Sequence, residues 1–496
     1  MNLLNLIIFI PLLAIVAIVL GAPARLTALG ASIINLVLSV AALAGYDRVM
    51  GGFQFQFKVP VLAEWDLNYF VGADGLSLLM ILLCTIVTVA AVAVAPQVDK
   101  YEGAYFASVL AIGAGAIGAF SSLDLFFFYA FHELALIPTF LLIGIWGFND
   151  RQRAAWKITI YLAAGSIILL IGLIGLYLMV PEAQRTFDMV KLQEIASAGG
   201  FNSPNGHRVF LLLLVGFGVL VSLFPFHSWA PGAYGSAPTP AAMLHAGVLK
   251  KFGLYGLIRL AVPMLPASAE FWTNTLLVLL VGNIIYVGLV TIAQKRLDQT
   301  LGYSSVMHMG YIFLGVASGN AIGINGAALL MFAHGLSIAA LFAMAGKLRE
   351  ATGTLEYADL GGLAKKMPVA GLLFGLAAFA SIGLPGFANF AAEVMVFFGA
   401  FGAGGMGTKF TNFQITTVLA LWGVVISAVY MLRAYRAVFL GEMSKRWENL
   451  KDFDMGMRLP VALLIGALLI AGFCPNLVLK YLQTNTPPAT TAAATR

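Results

Sequence analysis

FFFYAFHELALIPTFLLIGIWG, residues 126–147, is an apolar run interrupted by a single carboxylate, Glu133. A helix needs about 20 mostly apolar residues to cross a bilayer, so this run reads as a spanning helix with an acid inside it. Counted from Asp124, Glu133 lies about nine residues, or about 13 Å, along the helix, near mid-depth and shortly before the helix-kinking Pro138. A charge at the bilayer centre costs about 2.5–3.5 kcal/mol on insertion scales, and such residues mark ion or proton pathways. Three more charges stand in apolar segments: Lys250 and Lys251 in PAAMLHAGVLKKFGLYGLIR (240–259), and Glu393 in FANFAAEVMVFF (387–398). Acids and bases kept at that depth, without a cofactor motif, imply that protons or cations move through the protein.

The rest of the chain has the same character. Of its 496 residues, 60% are hydrophobic and 10% charged, against about 25% charged in soluble domains. The composition therefore predicts an all-α polytopic membrane protein with no water-soluble domain. The net charge of +6 does not point to nucleic acid, because the basic residues stand between apolar runs, where they act as topology signals. Cys84 and Cys474 are too few for a disulfide framework and lack metal-ligand spacing. The start, MNLLNLIIFIPLLAIVAIVLG, has no basic leader region and reads as a first spanning helix.

The 20-residue ruler gives fourteen candidate spans: 2–20, 26–46, 74–95, 102–120, 123–147, 155–180, 209–231, 238–262, 270–293, 299–318, 322–346, 367–402, 411–440 and 456–480. Between the second and third, QFQFKVPV (54–61) alternates like a strand or hairpin. Assigning loops alternately to the two sides gathers most of the 28 Lys and Arg residues on the side opposite the N-terminus, which predicts both termini outside, on the periplasmic side. Two spans are broken: 211–232 around Pro225, and 376–401 at Gly383, Pro385 and Gly386. Proline removes a helix donor. Broken helices at matching places in two halves are the signature of an inverted-repeat transporter with its site at mid-membrane.

Desolvation and neighbouring charge pull a buried carboxyl in opposite directions, so Glu133 is suited to load and release a proton when a charge nearby moves. Adjacent helical residues point about 100° apart, which predicts that Lys250 and Lys251 serve different partners. Lysine in a dry site gives up its proton readily. Glu393, beside the LPG break, fits an exit gate. Five histidines, His132, His227, His245, His308 and His334, lie in or near spans, and His207 lies in a loop. Histidine bridges a proton path in either tautomer. His308 and His334 are placed to link the Lys251 helix to the Glu393 helix, and His245 and His227 are further relay candidates. No dinucleotide fingerprint, P-loop, haem-ligand pair or cysteine cluster is present, so no redox centre, cofactor or metal is expected in this chain.

At these residues the sequence resembles the antiporter-like subunits of respiratory complex I, and among them the M type. The resemblance runs over essentially the whole chain and is carried by HELALIPTFLLIGIWG, FPFHSWAPGAYGSAPTPAAML, GVLKKFGLYGLIR, LGYSSVMHMGYIFLG, HGLSIAALF and GLPGFANFAAEVMVFFGAF. The chain stops soon after its last span, without the long lateral helix of the L-type relative. The resemblance implies fourteen helices and two inverted five-helix repeats. It divides the chain into 1–101 (three helices and an extramembrane loop), 102–262 (first repeat), 263–440 (second repeat) and 441–496 (loop, last helix and tail). It also implies a mid-membrane chain of charges in which Glu133, Lys251, Glu393, His308 and His334 stand at family positions.

The chain departs from the family in one place. Where the family usually has a lysine on the first broken helix, this sequence has Leu220, and Lys250 stands at a position that is normally apolar; the expectation is that Lys250 pairs with Glu133 instead. His245 is closer to L-type and cation-antiporter relatives. The implied activity is proton translocation in the membrane arm of an NADH:quinone oxidoreductase in a bacterial plasma membrane. NADH, FMN, iron–sulfur clusters and quinone would be held by other subunits, and L-type and N-type antiporter-like subunits would be neighbours. A subunit of a multi-chain Na⁺/H⁺ antiporter, or a membrane module of a hydrogenase or inorganic-carbon uptake complex, would share the same helices and charges.

Overall fold

Spanning helices form here because long apolar runs must satisfy every backbone group internally, and small polar residues set where they begin. In the computed structural model, which describes residues 2–201, 203–405 and 407–482, Asp74, Asp124, Asp150 and Asn320 each accept a backbone N–H at a helix start, as N-caps do. Among the described residues, ten helices are long and apolar enough to cross a membrane. Shorter apolar helices run over Leu3–Val19, Pro368–Ile382 and Ala388–Ala403. The protein is an all-α polytopic membrane protein.

Its centre is the helix Ala321–Thr352, whose apolar window is wholly buried. It packs against Gly75–Ala93, Leu297–Ala317, Ala388–Ala403 and the helical run over 239–264. Helices Ala24–Ala44, Arg151–Met179 and Asn412–Phe439 turn large apolar side chains outward, including Val37, Ile160, Ile167 and Trp422, a surface fitted to lipid or to other membrane subunits rather than to water.

The alternating 54–61 stretch forms strand Gln54–Leu62, paired antiparallel with Leu67–Ala73. This hairpin is tied to the 181–203 connection by Lys58–Asp188 (2.6 Å) and Lys191–Asp66 (2.8 Å). That connection contains a short helix, Met189–Ser197, where the sequence reading had only a loop. Its moderate apolar content is too short to span, and Asp188 caps it.

The two expected breaks are present. Helix Pro204–Val221 stops at Ser222 and resumes as Trp229–Ser236. The exposed backbone is recovered by Asn283, whose amide donates to Ser222 O and Val306 O (3.0 Å each) and accepts from Phe224 N (2.7 Å). The second break separates Pro368–Ile382 from Ala388–Ala403, with Gly383 in the left-handed region at φ +82°, where a side chain is strained.

Candidate functional site

The 239–264 run carries the two buried lysines and is not a uniform α-helix. A π-turn over His245–Leu249 brings Lys250 N within 3.1 Å of His245 O, five residues back, and a second π-turn covers Leu257–Ala261. Such turns insert an extra residue and recur at functional sites. Beside the first, Gly247 and Gly335 face each other: a Cβ at Gly335 would stand 2.6 Å from Gly247 O. This near-contact of backbones brings Lys251 to the central helix.

Lys251 Nζ donates to Ala246 O (2.6 Å) and lies 3.0 Å from His334 Nδ1. Lys250 points elsewhere: its Nζ donates to Ser305 Oγ (3.3 Å) and lies 5.3 Å from the centre of the Tyr234 ring. Both lysines are fully buried and neither snorkels, with 1% of Lys250 and none of Lys251 exposed. Among the described residues, no carboxylate forms an ion pair with either one.

From Lys251 the polar groups continue through the core. The His334 and His308 rings are 5.4 Å apart between centroids. His308 Nδ1 is 2.8 Å from Ser304 O and Nε2 is 2.9 Å from Ser381 O, just before the second break. Beyond the break is Glu393, itself buried, with its carboxylate so close to Gly383 that a Cβ there would come within 2.4 Å of Oε2. Glycine at 383 thus serves both the backbone turn and the carboxylate. Glu393 Oε1, both amide atoms of Asn389 and the Tyr311 hydroxyl are buried with no hydrogen-bond partner among the described residues. Buried polar groups of this kind are the ones that ordered water satisfies.

Glu133 differs from the expectation of a fully interior acid. Its side chain is 35% exposed and lines a cleft of about 240 Å³ between helices Leu125–Trp146 and Arg151–Met179. It accepts a hydrogen bond from Ser166 Oγ and lies 3.4 Å from His132 Nδ1. The expected Glu133–Lys250 pair does not form. The π-turn and the divergence of neighbouring helical residues aim Lys250 at the Leu297–Ala317 helix, and Leu220 is buried as an ordinary apolar residue. His132, 4% exposed, stacks its ring on Phe252, next to Lys251, at 4.0 Å.

His245 Nδ1 lies 3.4 Å from the Tyr234 hydroxyl, so Tyr234 touches both His245 and Lys250. His227 sits at the first bend against Phe224 and Tyr286, away from the His334–His308 line. His207 stacks on Phe271 near the start of helix Pro204–Val221. Two ion-pair groups went unnoticed in the sequence. Arg259 pairs with Asp74 (2.6 Å) toward one end of the 239–264 run. At the other side Asp298 is held by Arg349 (2.6 Å) and Arg296 (2.9 Å), and Arg349 also donates to Gly235 O. Asp74 and Asp298 stand at helix starts, where an acid reads as a cap, so nothing in the sequence set them apart. No three metal-ligating side chains converge among the described residues.

Residues 122–420 match the family described as NADH:quinone oxidoreductase/Mrp antiporter, transmembrane. The chain belongs to that family. It is 34% identical to NADH-quinone oxidoreductase subunit M of Rhodobacter capsulatus over 96% of this chain and 94% of that one. It is 38% identical to NAD(P)H-quinone oxidoreductase chain 4-2 of Synechocystis sp. over 85% of this chain and 74% of the relative. A chain of respiratory complex I from Thermus thermophilus superposes with a TM-score of 0.86 at 27% identity, covering 98% of this chain and 100% of that one. The matched stretch contains Glu133, Lys250, Lys251, His308, His334 and Glu393.

Proposed function

We propose that this chain is the M-type, proton-translocating subunit in the membrane arm of a bacterial NADH:quinone oxidoreductase. The observation that carries the reading is the line Lys251–His334–His308, which runs through the buried core to the break beside Glu393. Protons enter from the cytoplasmic side, reach Lys250 and Lys251, cross the two histidines and leave at Glu393. Glu133, in its outward cleft, reports its charge to the neighbouring antiporter-like subunit. Two unit charges about 4 Å apart at an effective dielectric constant of about 20 interact by about 4 kcal/mol, about three pKa units. A charge moved beside Lys251 is therefore enough to load or unload it.

In this reading the chain crosses the membrane fourteen times with both termini periplasmic, and residues 102–262 and 263–440 form two inverted repeats. Redox energy arrives from other subunits, which hold the NADH, flavin, iron–sulfur and quinone sites. Native electrophoresis of solubilised membranes tests the assignment: the chain should co-migrate with a flavin- and iron–sulfur-bearing assembly. Migration in a multi-chain complex without redox centres would favour the Na⁺/H⁺ antiporter reading that the family also includes.

A further inference from the structure

His308 is held in a way that fixes its protons. Both ring nitrogens face backbone carbonyl oxygens, Ser304 O at 2.8 Å and Ser381 O at 2.9 Å, and a carbonyl only accepts. A neutral imidazole has one N–H and one lone pair, so one of these contacts would set a lone pair against a carbonyl; the imidazolium donates from both nitrogens. The side chain is 1% exposed, leaving bulk water no access to either contact. Ser381 belongs to the last turn of Pro368–Ile382, and the break begins at Gly383, against which the Glu393 carboxylate packs.

We infer that His308 is an imidazolium in this conformation and that its second proton latches the broken helix. While the proton is present, Ser381 O is tied to the Leu297–Ala317 helix. When the proton leaves from Nε2, with Nδ1–H kept on Ser304 O, that tie is lost and the 383–387 break beside Glu393 is free to rearrange.

The groups facing His308 fit this role. Lys251, from the 239–264 run, lies behind His334 at 3.0 Å from its Nδ1, and Lys250 donates to Ser305 Oγ on His308's own helix. His334 faces it from the central helix and Tyr311 lies 5.7 Å away on its own helix. Tyr430, from Asn412–Phe439, donates to or accepts from Ser304 Oγ at 2.8 Å. Glu393 is the acid nearest the break. A proton moving off Lys251 through His334 closes the latch, and passing it on toward Glu393 opens it. The direction of proton flow rests on the proposed pump, while the latch itself rests only on the hydrogen-bond geometry.

Solid-state NMR of the full chain in lipid nanodiscs, with ¹⁵N-labelled histidine, reads the protonation directly. At pH 8, where an unperturbed histidine is neutral, one histidine should show both ring nitrogens protonated, and His308→Asn should remove that signal. If every histidine retains an unprotonated ring nitrogen, the inference is overturned. The latch is read in the assembled complex at rest, by N-ethylmaleimide labelling of Leu384→Cys in a Cys474→Ser background. His308→Gln loses the charge and, with donors at one end and an acceptor at the other, cannot donate to both carbonyls; it should raise the labelling rate at least about tenfold, the worth of one charge-assisted hydrogen bond. An unchanged rate would sink the latch even if pumping is lost, whereas intact pumping in His308→Gln would sink the relay and leave the labelling result to judge the latch.

Discussion

Among the described residues Lys251 meets no counter-ion; its contacts are a carbonyl and an imidazole, Ala246 O and His334 Nδ1. An amine in such a place is poorly solvated as a cation, and replacing buried ionisable groups with apolar ones of similar size is often neutral or stabilising. Lys251→Met should therefore leave the thermal midpoint of the assembled complex unchanged or slightly raised. A fall of several degrees in a thermal-shift measurement would mean the lysine is structural. Gly383→Ala should behave in the opposite way. It places a side chain in the left-handed region, at about 1–2 kcal/mol, and drives a methyl into the Glu393 carboxylate, so the midpoint should fall and proton translocation should be lost together. Lys250, Lys251, Glu133 and Glu393 were legible in the sequence because a charge inside an apolar run has no cheap explanation. Their partners Ser305, Ser166 and Tyr234 were not, since a lone polar side chain in such a run is ordinary until its neighbours are known.

At the scale of elements, the breaks were legible from Pro225, Pro385 and the flanking glycines, while the π-turn before Lys250 was not. Nothing in LHAGVLKK marks an inserted residue, and the turn depends on packing against Gly335 of another helix. Gly335→Val would push the 239–264 run away from the central helix, with a Cβ 2.6 Å from Gly247 O and 2.7 Å from Leu83. Overpacking of this kind costs about 1–3 kcal/mol, and here it should also part Lys251 from His334, lowering both thermal stability and proton translocation; full pumping in this variant would show that the close approach is dispensable. The outer hairpin gives a pH prediction. Burial works to raise the Asp66 carboxyl, but hydrogen bonds from Lys191, Thr186 and Asn68 outweigh it and hold it at about 2, below its ordinary 3.8. A depressed acid stabilises the fold above its unfolded value and loses that contribution as pH falls through its folded value. The tie between the hairpin and the 181–203 connection should therefore hold at neutral pH and weaken between about pH 4 and about pH 2. Hydrogen exchange of residues 186–201 should rise over that range; exchange that is flat down to pH 2 would contradict the pairing.

For the whole molecule, composition alone was enough to give the class, because a chain this poor in charge has no other stable environment. What it could not give is which charges meet. The Lys250–Glu133 pair was expected from the departure at Leu220, and the folded chain instead turns Glu133 toward its own surface and Lys250 inward to Ser305. This arrangement suits a subunit that works beside others: the acid that faces outward is the one a neighbour could sense, and the line from Lys251 to Glu393 is enclosed within a single chain. The most direct test of that division is the proton-to-electron ratio of the assembled complex in proteoliposomes, wild type against Lys251→Met. The account predicts a lower ratio in the variant, with electron transfer either uncoupled from this subunit or slowed. An unchanged ratio at an unchanged rate would contradict it.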